Sequence, residues 1–122
     1  MFVKILTTIV VLLFFDLIYF YFMKDMLSKQ IIQVQGSPLV MDFFAAALCY
    51  IALAFGLYYF VLREKKSIID AFLLGIVIYA VYETTTKASL KKWSYKIVLL
   101  DTLWGGILFT LTTFVVRKFF AF

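Results

Sequence analysis

The chain has 122 residues, 66% of them hydrophobic, with twelve Lys/Arg against seven Asp/Glu and no histidine. Soluble domains are about half apolar, and a chain this short leaves roughly a third of its surface exposed, so lipid rather than water is the natural solvent. Without histidine there is no imidazole metal site, Ser-His triad or His proton shuttle, and the single cysteine, Cys49, can make neither an internal disulfide nor a cysteine zinc site.

A helix crossing the hydrocarbon core needs about 20 mostly apolar residues, and four runs qualify: 2–23, 38–62, 67–83 and 94–116. None shows the alternation of a membrane β-strand, and backbone groups in lipid must pair within their own segment. The expected fold is therefore all-α, a single domain over 1–122 built as a bundle of four transmembrane helices. The first run carries Lys4 but is interrupted by Asp16 and has no small-x-small cleavage site, so it reads as a retained span. Lys24 to Pro38 follows, read as a short interfacial helix and then an irregular lead into the second span. Ser37 would cap that span and Pro38 would sit in its first turn. The tight turn Arg63–Lys66 predicts that the second and third helices are antiparallel neighbours. Thr84 to Ser94 joins the third and fourth spans, with Trp93 at head-group level.

The +5 charge flanks the apolar runs, which points to anionic head groups and away from nucleic acid, for which no binding pattern is present. Lys87, Lys91, Lys92 and Lys96 are the candidates for head-group contact, and Lys96 could also neutralise a nearby acid. Six basic residues fall on each side of the four spans, so charge bias selects no orientation.

The acids are the unusual feature. On the side of the first and third connections, here the lower side, Asp16, Asp42, Glu83 and Asp101 occupy similar depth, one per helix. A carboxylate in lipid costs several kcal/mol, roughly, unless it faces inward, finds a partner or takes up a proton. Asp42 and Glu83 lie near helix ends, where plain solvation is the alternative to a site, joined for Asp42 by dipole compensation, and Asp70 alone sits at the upper end. Asp16 and Asp101 lie deeper and are site candidates, with a structural helix-to-helix bond as the alternative. Asp101, Trp104, Gly105, Leu108 and Thr112 share one helical face, as do Gly75, Tyr79 and Glu83, and Asp16 with Leu12, Tyr19 and Phe20. Ala45, Cys49, Ala52 and Gly56 form a small-residue stripe suited to close helix packing. Inward faces would bring Asp16, Glu83 and Asp101 together, with Tyr19, Tyr79 and Tyr82 as donors. The polar-cluster candidates are thus Asp16, Tyr79, Tyr82, Glu83, Trp93, Asp101 and Trp104. No metal or cofactor is implied.

The stretch "YAVYETTTKASLKKW" followed by "DTLWGGIL" resembles the signature of a family of small four-helix membrane proteins, domain of unknown function 2177. That pattern runs Y-A-T-Y-D-L-T-N, A-T-L-x-x-W-P and D-x-x-W-G. Tyr79, Ala80, Tyr82, Thr85, Ala88, Leu90, Trp93, Asp101, Trp104 and Gly105 match it, as does Asp16 in the first helix, and "GLYYFV", Gly56 to Val61, resembles the end of the family's second helix. Glu83 stands for Asp, Thr86 for Asn and Ser94 for Pro. The resemblance implies the fold and a membrane location, and supplies no activity. Three functions follow as expectations: an accessory or structural membrane protein; a proton, cation or small-solute transporter or channel-like unit, for which a homo-oligomer would help; or a membrane-embedded lipid-modifying enzyme. The sequence leaves catalysis open.

Overall fold

Four helices run through the chain: α1 (Phe2–Gln35), α2 (Phe43–Leu57), α3 (Ile68–Ser89) and α4 (Tyr95–Phe119). The structure is a computed structural model, described for residues 1–120, and no strand occurs among those residues. A π-helical turn, Tyr58–Leu62, prolongs α2, so that Phe43–Leu62, α1, α3 and α4 are each long and apolar enough to cross a bilayer. The fold is the expected all-α membrane bundle.

α1 differs most from expectation. It continues unbroken through the residues read as an interfacial helix and ends only at Gly36, whose left-handed φ of 75° closes it. No Pro or Gly lies between Met23 and Gln35, so nothing stops the propagation of the helix. Its 34 residues extend about 51 Å at 1.5 Å per residue, well beyond a hydrocarbon core of about 30 Å. Its last turns therefore rise out of the lower side. Pro38 is likewise not in a helical turn: α2 starts at Phe43, and the cap is Asp42, whose side chain accepts from the Ala45 amide at 3.1 Å. Ser67 and Asp70 form a reciprocal capping box at the start of α3, and the Ser94 hydroxyl accepts from the Ile97 amide at the start of α4. Asp42 and Asp70 are thus accounted for as helix caps.

Packing follows from where the chain has no side chain. A Cβ on Gly75 would strike the carbonyl of Gly105, and one on Gly105 would strike the Tyr79 ring. Phe72 and Ile76 close over Gly106 in the same way. These glycines let α3 and α4 approach almost backbone to backbone, and this is the most extensive helix pairing in the bundle. α1 packs against α2 on one side and α4 on the other. The expected α2–α3 neighbourhood is not a principal contact. α3 is drawn onto α4 by the glycines, and a cavity of about 360 Å³ lined by Phe60, Val61, Asp70 and Leu73 lies between the π-turn and α3. The upper core is filled by Leu12, Leu57, Leu62, Ala71, Leu108, Phe109 and Val116, each 0% exposed. The Arg117 guanidinium donates to the Lys66 carbonyl and ties the α2–α3 turn to the end of α4.

The small-residue stripe of α2 does not pack inward. Ala45, Cys49 and Ala52 are exposed, and nothing lies within 4 Å of where a Gly56 Cβ would be. The buried face is Leu53, Ala54 and Leu57 instead. In lipid, where leucine gains little by leaving acyl chains, van der Waals packing of this face into the core, not the size of the stripe residues, sets which side is buried.

Candidate functional site

α1 and α4 run antiparallel, so residues three apart on one helix face residues three apart on the other. Two rungs result. Asp16 on α1 accepts from Trp104 Nε1 on α4 at 2.8 Å, and Tyr19 on α1 donates its hydroxyl to Asp101 Oδ1 on α4 at 2.5 Å. Each helix supplies one acid and one aromatic donor, in opposite order. Between the rungs the Tyr19 and Trp104 rings stack, with centroids 4.6 Å apart and planes 5° from parallel. The D-x-x-W spacing of α4 and the D-x-x-Y spacing of α1 are thus two halves of one ladder. α2 joins it through Tyr50, whose hydroxyl donates to the second oxygen of Asp16. One carboxyl therefore links three helices.

The third acid is placed by the length of α3. Because the helix runs on to Ser89, Glu83 does not close its end but lies well inside it, at 0% exposure. Its Oε1 accepts from Trp93 Nε1 at 3.0 Å. Trp93 is accordingly not a head-group anchor: its ring folds inward and is buried, because the indole N–H has a fixed acceptor there. The α3–α4 connection is held in that pose by Gln30, in the extended part of α1. The Gln30 amide donates to the Lys92 carbonyl at 2.7 Å and accepts from the Ser94 amide at 3.1 Å, clasping the backbone on both sides of Trp93. The second oxygen of Glu83 has no hydrogen-bond donor among the described residues, and the Asp101 carboxyl lies beside the Glu83 side chain.

Of the sequence candidates, Asp16, Glu83, Trp93, Asp101 and Trp104 are gathered into this network. Tyr79 reaches it only by packing its ring on Gly105. Tyr82 lies outside at 58% exposure. Among the described residues no lysine or arginine forms an ion pair with Asp16, Glu83 or Asp101. Lys96, a candidate for head-group contact or for neutralising an acid, is exposed and pairs with none of these acids, because the first turn of α4 carries it to the outer face. Lys87 donates to the Lys91 carbonyl at 3.0 Å and lies over the Tyr95 ring. Lys87 and Lys91 line a cavity of about 510 Å³ with Thr84, Ser89 and Tyr95 on the outside of the bundle, while Lys92 is simply exposed. Tyr50 and Gln30 were not legible as site residues. Tyr50 is one of eight tyrosines, and Gln30 lies in a segment read as interfacial.

Aromatic N–H and O–H groups thus take the place of counter-charges. A carboxylate at mid-bilayer costs about 2.5–3.5 kcal/mol on insertion scales, and a hydrogen bond to a charged acceptor returns about 1.5–3 kcal/mol. Two donors on Asp16 roughly offset its burial. Neither of the two cavities described above is lined by Asp16, Glu83 or Asp101, and no group of three potential metal ligands gathers among the described residues.

The family description "Predicted membrane protein (DUF2177)" matches residues 1–117, and the chain belongs to that family. No curated protein and no solved structure matches. The chain is a multi-pass integral membrane protein with four helices able to span the bilayer.

Proposed function

We propose that this DUF2177 member is an accessory or structural membrane protein, a rigid four-helix unit whose intramembrane acids act first as fasteners between helices. The observation that carries this reading is Asp16: both of its oxygens are taken by donors from other helices, Trp104 on α4 and Tyr50 on α2. An acid poised to receive a solute or attack a substrate would keep an oxygen directed at an open space. In this reading the exposed Lys91, Lys92 and Lys96 and the half-buried Lys87, all at the lower end, face lipid phosphates, and Lys87 and Lys91 form part of a cavity wall suited to a head group. The role needs no cofactor and no nucleic acid, and it can be performed by one copy or by a homo-oligomer.

The test is flux in sealed proteoliposomes. Purified protein, reconstituted with a pH-sensitive dye inside and a proton, Na⁺ or K⁺ gradient imposed, is expected to leak no faster than empty liposomes. Asp16→Asn and Asp101→Asn should lower thermal stability without changing that leak. A gradient-driven flux abolished by either substitution would move the chain into the transporter class. A lipid profile altered by expression of the wild type but not of Asp101→Ala would move it into the enzyme class.

A further inference from the structure

Glu83 carries the one carboxyl oxygen of the network that is both fully buried and without a hydrogen-bond partner among the described residues. Its side chain is fully buried, Oε1 is held by Trp93, and Oε2 has no donor. Beside the Glu83 side chain, close enough to interact with it, lies a second carboxyl, that of Asp101, itself held at Oδ1 by Tyr19. Two carboxylate oxygens are both acceptors, and no hydrogen bond can form between them unless a positive charge stands in the gap. Like charges this close in a low-dielectric interior also repel strongly. We propose that Glu83 and Asp101 form a binding site for one exchangeable proton, held between the two carboxyls.

The surroundings favour a proton over a metal ion. Two carboxyls already engaged by Trp93 and Tyr19 leave far fewer oxygens than the six to eight, roughly, that Ca²⁺ or Mg²⁺ requires. The groups around the pair are Tyr19 and Asp16 from α1, Tyr79 and the half-exposed Tyr82 on α3, and the indole of Trp93, with Cys49 and Tyr50 of α2 one step further out beside Asp16. None is a cation, and no lysine or arginine is paired with the two acids among the described residues. The donors fix one oxygen of each carboxyl and leave the other free for the shared proton. With it bound, the pair carries a single negative charge, and without it two. Since the pair lies towards the lower end of α3 and α4, the proton exchanges with that side. The inference goes beyond the accessory role and does not rest on it, because a sealed, non-conducting bundle can hold such a proton.

Infrared difference spectroscopy of the protein in liposomes tests it directly. Glutamate labelled with ¹³C at the side-chain carboxyl reports only Glu64 and Glu83, and labelled aspartate reports the other half of the pair. At neutral pH the wild type should show one protonated-carboxyl band per chain, shifted by one or both labels and lost on raising the pH. The band should be absent in Glu83→Gln and in Asp101→Asn, because each new amide donates to the remaining carboxylate, and it should be unchanged in Asp70→Asn. The amides supply the missing donor, so both variants should stay folded, and the wild-type spectrum needs no variant at all. No protonated band in the wild type, or a band that survives both substitutions, overturns the proposal. Replacement of the band by a Na⁺- or K⁺-specific rise in melting temperature overturns it in favour of a metal cation.

Discussion

Within the membrane an aromatic donor can stand in for a base. Asp16 and Asp101 are each met by a Trp or Tyr whose ring belongs in an apolar interior and whose one polar atom is a donor. A lysine in the same place would bring a second desolvated charge and a flexible stem. Removing the donors should therefore cost more than removing the acid. In Tyr50→Phe or Trp104→Phe the Asp16 carboxyl keeps its desolvation cost and loses a partner, and each variant should lose about 1–3 kcal/mol of stability. Asp16→Leu removes the carboxyl itself and should be less destabilising than Tyr50→Phe and Trp104→Phe combined. Unfolding titrations in mixed micelles check this order, and equal losses for acid and donor removal would contradict it. The chain's two tryptophans give a second readout, since both indoles are bonded to acids. In Trp104→Phe the remaining emission reports Trp93 alone, and Glu83→Ala should shift it where Asp16→Leu does not.

Helix boundaries determine which residues meet. Had α1 ended near Met23, Gln30 could not reach the α3–α4 connection, and had α3 ended at Glu83, that acid would be solvated. Gln30→Ala leaves the Lys92 carbonyl and the Ser94 amide without their side-chain partner. It should raise amide hydrogen exchange across residues 90–96 at least several-fold, with the centre of α4 unchanged; protection equal to wild type would show that the clasp does not hold the loop. The glycine contact is harsher. Gly75→Ala and Gly105→Ala drive a methyl into backbone or a fixed ring, where overpacking costs typically about 1–3 kcal/mol or more. Gly56→Ala meets nothing within 4 Å and serves as the control, expected near neutral. The sequence readily shows that these segments are helical and apolar. It shows less well where they stop, because Lys24 to Gln35 is polar enough to leave the membrane and still free of any helix breaker. It misjudges α2 as well: small residues there allow close packing, but do not decide which face is buried.

Across the whole molecule, four apolar helices could slide and rotate in lipid with little hydrophobic preference among themselves, because acyl chains are as apolar as leucine. Register then has to come from directional contacts, and here these are the two acid–aromatic rungs, the Tyr50 bond from α2, the glycine contact of α3 with α4, and the Gln30 clasp. The depth and inward direction of Asp16 and Asp101 were legible from helical spacing, as was the D-x-x-W motif. Their partners were not, because which of 15 Phe and 8 Tyr faces an acid depends on helix order. The unit should accordingly melt as one cooperative body. The most direct test is a double-mutant cycle on the upper rung, with Asp16→Ala and Trp104→Phe made singly and together and unfolded in bicelles. The structure predicts that Trp104→Phe is destabilising when Asp16 is present and nearly neutral when it is absent, a coupling between about 0.6 and about 1.7 kcal/mol, the mean and the maximum measured for interhelical hydrogen bonds in a membrane protein. The same loss from Trp104→Phe in both backgrounds would mean that the indole contributes only bulk, and that the acids are not what joins the helices.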